Sequence, residues 1–309
     1  MKFLRNIRRI ACWGMLAAVL TGHGVAGAAD VLTEFQPSSL PNASGPVSLA
    51  GFSTELIELE SGVLGHHAEG TMKQFRFSEP VWVVGYKTEI FDSAGRVPRE
   101  NYLCHTFFGD GRMGQEQSRA MRVLYSDSFT HEVWFPDGFG IYLTPDDDLH
   151  WMPMFNNRED RPVRVRMKVE LALIRQKDLQ KPLRRLYSIL QSIQVPHLYF
   201  VSPGHHQKTI SFKLPFKGRI HYVGAHIHPY AESVELHNDS RQESVWKGVQ
   251  GASAGEEMAG LGVYSNAEGY AVRSGESYTL TAAYNNTTNH LIDAMAGVFV
   301  FYSESIQGN

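Results

Sequence analysis

No stretch of this 309-residue chain sustains an apolar period of 3.6 residues, and that absence restricts the fold more than any motif. A helix that packs on a core needs such a stripe; a strand needs only alternation or a short apolar run. The chain instead carries short β-rich runs, among them "PVWVVGYKTEIF", "RAMRVLYSDSF", "GFGIYL", "RVRMKVELALI", "KTISFKL", "SVELHN", "SYTLTAAYN" and "AGVFVFY". Turn material such as "FDSAGRVPRENY", "FPDGFG" and "TPDDDLHW" separates them. The best helix candidate, "DLQKPLRRLYSILQSI", is interrupted by Pro182. The expected fold class is therefore all-β, built from packed antiparallel sheets.

The length suffices for two domains, and 43% hydrophobic residues can fill both cores. The polar segment "LIRQKDLQKPLRR" is the expected connection, giving an N-terminal β-domain over 53–178 and a C-terminal one over 179–309. The Pro-, Ser- and Gly-rich "FQPSSLPNASGPVSLAGFS" predicts a flexible lead-in over 30–52. No internal repeat is strong enough to use.

Residues 1–29 read as a secretory signal peptide. Lys2, Arg5, Arg8 and Arg9 precede the apolar run "ACWGMLAAVL", and small residues close the segment at "VAGAAD". The run is too short to span a bilayer, so no stable membrane insertion is expected. The protein is expected to be exported, to the periplasm of a Gram-negative cell or otherwise secreted. Cys12 lies in the signal, which leaves Cys104 alone in the mature chain. No intramolecular disulfide can form, and Cys104 is either a small core residue or a ligand. A net charge of -3 provides no basic field for nucleic acid. No Gly-rich phosphate loop and no GxSxG motif occurs. "TPDDDLH" lacks the Gly and closing Glu of a calcium loop and reads as a solvated turn.

The chemistry-bearing stretch is "VGAHIHPY". In a strand, His226 and His228 point the same way, which makes a chelating pair. Pro229 follows, so the strand is expected to end or to lie at an edge, with a solvent-accessible site. An exposed pair with no ligand is the alternative. Met295, in "NHLIDAMAGVFVFY", is either a core filler or a third donor. Two imidazoles with a thioether suit copper, whereas zinc rarely takes thioether and calcium and magnesium require oxygen. The adjacent pairs His66–His67 and His205–His206 read as surface residues.

The order of these landmarks resembles the copper type II, ascorbate-dependent monooxygenases, the family of peptidylglycine α-hydroxylating monooxygenase and dopamine β-monooxygenase. "AHIHPYAESVEL" followed by "DAMAGVFVFY" is similar to that family's HTHH-type stretch and its later Met in a "DEMCN-apolar-YY" context. "NYLCHTFFGD" stands where the family has "HHMLLFG", "DGFGIYLTP" where it has "GVGFRVGG", and "KPLRRLYSIL" where it has "QPLIAGMYL". The resemblance runs from about Gln74 to Tyr302. It implies two tandem jelly-roll-type β-sandwich domains facing across a solvent-filled cleft. It also implies a C-terminal copper on His226, His228 and Met295, with Asp293 at an acidic position of no assigned role.

A first-domain copper would fall to His105, with Cys104 and Met154 in place of two histidines and Met152 close enough to leave the register open. Such a Cys/His/Met set is softer than three histidines and favours Cu(I). The implied activity is O2-dependent C–H hydroxylation of an unknown small organic or peptide substrate, with ascorbate or another external reductant. The alternative is a non-catalytic extracytoplasmic protein that scavenges, stores or delivers copper. A β-sandwich surface protein with vestigial sites is the third reading.

Overall fold

The computed structural model of the protein describes residues 29–66, 71–98, 102–110, 123–194, 199–250 and 260–305. The segment read as a signal peptide lies outside the described residues except for Ala29. The described chain is all-β, with one short 3-10 turn at Gln176–Asp178. Among the described residues no helix is long and apolar enough to cross a membrane.

Among the described residues, shorter strands extend the edges of two sandwiches, whose main sheets are formed by sixteen strands. In the first they are β1 (Ser48–Ser53), β2 (Lys73–Phe77), β3 (Val81–Asp92), β4 (Leu103–Asp110), β5 (Val123–Asp127), β6 (Phe139–Leu143), β7 (Leu149–Asn157) and β8 (Val163–Arg175). In the second they are β9 (Tyr187–Ser192), β10 (Gly204–Lys213), β11 (Gly218–Ile227), β12 (Ala231–Asn238), β13 (Glu243–Val249), β14 (Tyr264–Val272), β15 (Ser277–Asn286) and β16 (Ala296–Glu304). The first sandwich pairs them as β1-β8-β3-β6 and β2-β7-β4-β5, and the second as β9-β16-β11-β14 and β10-β15-β12-β13. Each half thus places its first, eighth, third and sixth strands in one sheet and its second, seventh, fourth and fifth in the other. This is the jelly-roll order, repeated in two halves whose sequences show no usable repeat.

Two boundaries differ from the sequence expectation. The stretch expected to be a flexible lead-in holds strands at Asp30–Leu32 and Gln36–Pro37 and the start of β1. Val47 and Ala50 are buried there, because "VSLAGF" alternates and pairs along β8. Past the expected division at 178, Arg184–Arg185 still pairs with β6, and Leu183 and Leu186 pack in first-sandwich cores.

The sandwiches are packed together along β11 and β16, with no cleft there. In β11, Val223, Ala225 and Ile227 point into the second core, while Tyr222 joins the first. In β16, Val298, Val300 and Tyr302 face the second core, while Phe299 and Phe301 face the first. Alternation with both faces apolar is what a sheet covered on both sides requires. The Phe299 ring lies tilted 4.4 Å from that of Tyr125, and Phe301 lies 4.8 Å from Phe135. Each such buried side chain contributes about 1.5–3 kcal/mol. Gly224 makes room for this contact: a Cβ there would stand 2.2 Å from the Phe299 ring.

Candidate metal centre

The period-two alternation of β11 that sends Tyr222 to the first sandwich sends His226 the same way. His228, one residue past the strand, stays beside it, with ring centroids 5.2 Å apart. Tyr230 then takes a left-handed conformation (φ 69) and turns the chain into β12. The shared face expected of the pair is therefore present, but the expected exposure is not. His226 and His228 are 4% and 6% exposed, because the first sandwich covers this face of the sheet.

The opposing wall comes from β4, β5 and β7. His105 pairs with Asp127 and with Met154, and Phe107 pairs with Tyr125 and Met152, so these side chains share the outer face of their sheet. Met154, not Met152, is thus the neighbour of His105. Regular alternation would turn Cys104 away with Thr106 and Phe108. The register prevents this: Met154 opposes His105 but Phe155 opposes Leu103, so Cys104 is an extra residue in a β-bulge. Bulges re-aim side chains, and they are frequent beside functional sites. Here the Cys104 Sγ comes 3.3 Å from His105 Nδ1 and 4.0 Å from His226 Nε2.

Cys104, His226 and His228 each offer one ligand atom, and these atoms lie within 4.8 Å of one another. All three residues are buried. The sequence expectation divided them between two sites, one in each half. The structure joins them in one, because the halves dock on this face. A metal bonded to sulfur at about 2.3 Å and nitrogen at about 2.0 Å, with angles near 120°, needs S and N about 3.7 Å apart. The observed 4.0 Å is close to that.

Behind each imidazole stands a carboxylate. Asp293 Oδ2 accepts a hydrogen bond from His228 Nδ1 at 2.6 Å. This fixes the tautomer, and His228 Nε2 is left buried with no hydrogen bond of ordinary geometry. Asp127 Oδ2 lies 3.3 Å from His226 Nδ1, in ion-pair range though not aligned as a hydrogen bond. Asp127 is itself fixed, its Oδ1 accepting from the Phe129 and Thr130 N–H groups at 2.7 and 2.6 Å. A carboxylate on the far nitrogen of an imidazole is the usual support of a histidine metal ligand. Asp293 also meets Arg158 of the first sandwich at 3.5 Å.

These contacts set the charges. Burial pushes the Cys104 thiol up, but His105, His226 and His228 outweigh it and hold it well below its usual value. Burial disfavours charge on His226, yet Asp127 and Cys104 push it up to about 9. His228 shifts upward for the same kind of reason, against burial and through Asp293 and Cys104. Burial raises Asp293, and the bond and charge of His228 with Arg158 bring it down to about 2. These neighbours favour the thiolate, the form of cysteine that binds metal.

Of the other expected ligands, Met295 joins the strand Ile292–Ala294 to β16 and is half-buried. The Tyr284 hydroxyl donates to the Met295 carbonyl at 2.5 Å and accepts from His228 N–H at 3.4 Å, which links the Met295 backbone to that of His228. On β10 His205 is exposed and His206 half-buried, and His67 lies outside the described residues. Sequence reasoning missed Asp127. Its one local signal is the turn "DSFT", in which an Asp side chain caps the N–H groups two and three residues on. Nothing local says that its second oxygen meets a histidine 99 positions later.

With a metal held by these donors, replacing Asp293 by Asn would weaken its binding about 10- to 100-fold, the usual effect of removing such a support. A competition titration of the purified protein against a chelator checks this, and an affinity within twofold of wild type would refute the support role.

No protein-family model matches the chain, and no curated protein matches it in sequence. Solved structures match at low similarity. The major capsid protein P2 of bacteriophage PM2 is 9% identical, with a TM-score of 0.37, over 84% of this chain and 100% of that one. A protein of Sulfolobus Turreted Icosahedral Virus is 11% identical, with a TM-score of 0.22, over 81% of this chain and 61% of that one. A protein of an archaeal virus described by a triple jelly-roll fold is 11% identical, with a TM-score of 0.23, over 85% of this chain and 60% of that one. Likeness at this level carries no argument about function; the two jelly rolls stand on their own strand order.

Proposed function

We propose that the protein binds one copper ion between its two sandwiches, through the Cys104 thiolate and the Nε2 atoms of His226 and His228. Its task in this reading is to hold copper outside the cytoplasm rather than to hydroxylate a substrate. The observation that carries the proposal is the meeting of these three donors in a buried place, where His228 Nε2 makes no hydrogen bond of ordinary geometry. A buried polar atom left unpaired costs about 1–3 kcal/mol, and a metal bond satisfies it. One thiolate with two imidazoles selects copper or zinc over oxygen-seeking ions, and copper(II) exceeds zinc in the usual affinity order. Met295 is the candidate for a weaker thioether donor. Bound copper supplies a one-electron couple.

Burial of all three donors supports retention over turnover, since hydroxylation needs an open position facing a substrate pocket. The test is metal analysis of the purified mature protein after copper loading and dialysis, followed by oxygen uptake with ascorbate. The expected result is one copper per chain, lost in His226→Ala and in His228→Ala, with oxygen uptake no faster than free copper gives. Failure to retain copper, or retention in both variants, overturns the proposal. Reductant-dependent uptake well above free copper returns the assignment to oxygen-activating hydroxylation.

A further inference from the structure

We propose that His105 sets the redox potential of the bound copper by donating a hydrogen bond from Nδ1 to the sulfur of Cys104. The inference rests on the copper reading above and adds a role for a residue outside the three-donor set. The two residues are adjacent in β4, and adjacent residues of a regular strand face opposite ways. Only the extra residue at Cys104 brings both side chains to one side, with Sγ and Nδ1 3.3 Å apart. A metal-bound thiolate has no proton to give, so the proton of this contact belongs to Nδ1. The donor is held in place: the His105 ring stacks 6.1 Å from Tyr125 and meets Phe107 edge-on at 5.1 Å.

A donor on a thiolate withdraws charge from the sulfur. Less charge is then available to copper, which disfavours Cu(II) relative to Cu(I) and raises the potential. The bulge thus builds the tuning contact into the backbone, and His105 acts through Cys104 as a positioning residue.

The test uses the copper-loaded full mature protein. His105→Phe removes the donor and keeps an aromatic ring among Tyr125 and Phe107. The expected result is a shift of the Cu(II)/Cu(I) equilibrium toward Cu(II) by about tenfold or more, equal to about 59 mV for one electron. The sulfur-to-copper charge-transfer absorption moves to lower energy in the same variant. His105→Gln, which retains an N–H donor, restores most of both. His105→Leu repeats the measurement with a smaller side chain if Phe does not fit. A purely structural role would lower stability and leave potential and absorption in place. Unchanged potential and absorption in a copper-loaded donor-free variant overturn the inference while leaving the metal assignment intact. A wild-type protein that holds no copper overturns both.

Discussion

Cys104→Ala is expected to weaken copper binding by about 10²–10³-fold while the protein remains folded. Four-ligand structural metal sites are worth about 10–16 kcal/mol, so one ligand accounts for about 3–4 kcal/mol. At 1.4 kcal/mol per decade this is two to three decades in affinity. Cys104 is also the one anionic donor of the three, so its loss removes charge neutralisation together with a bond. The substitution deletes a single buried atom and keeps the β-bulge, so the cost to folding is small by comparison. A competition titration measures the affinity, and thermal melts with and without copper separate binding from folding. On the proposed assignment copper is expected to raise the melting temperature of wild type, because a ligand that binds only the folded state stabilises it. In Cys104→Ala most of that increase is expected to disappear at the same copper concentration.

The second large effect lies on the opposite face of the same sheet. Trp151 on β7 is fully buried in the first core. Its ring stacks on Phe108 with centroids 6.0 Å apart, and the Phe52 ring meets it edge-on at 4.8 Å. Its indole N–H donates to the Thr106 hydroxyl at 2.9 Å. Trp151→Ala is expected to destabilise the first sandwich by about 3–5 kcal/mol, the range for emptying such a site. The Thr106 hydroxyl also loses its partner. Trp151→Phe keeps the ring and costs less. Denaturant unfolding followed by circular dichroism checks the order wild type, Phe, Ala. Because Met152 and Met154 alternate to the other face, the fraction that remains folded is expected to bind copper with wild-type affinity.

The contrast between these two residues shows which parts of the molecule are legible in sequence. The absent helical period gives the fold class, but the turn reading of "TPDDDLHW" conceals the start of β7 and its buried Trp151. The spacing in "AHIHPY" gives the shared face of His226 and His228. Sequence pattern does not show what lies across from that face. Tyr222, Phe299 and Phe301 occupy positions that alternation assigns to an outer surface, and only their apolar character hints that a second sandwich covers them. The pairing of Cys104 with the histidines depends further on one extra residue in β4. A bulge is a fact of register between two strands, and neither strand reveals it alone. The resemblance-based reading kept Cys104 and His226 in separate centres for this reason. Asp293 was visible as an acidic position, but its role followed only from the 2.6 Å bond to His228.

The most direct measurement is X-ray absorption at the copper edge of the loaded protein, in wild type and in Cys104→Ala. One sulfur scatterer at about 2.3 Å and two imidazole nitrogens at about 2.0 Å are expected in wild type. In any Cys104→Ala protein that retains copper at high metal concentration, that short sulfur contact should be gone. A wild-type spectrum with no short sulfur scatterer, or one that Cys104→Ala leaves unchanged, would contradict a centre shared between the two sandwiches.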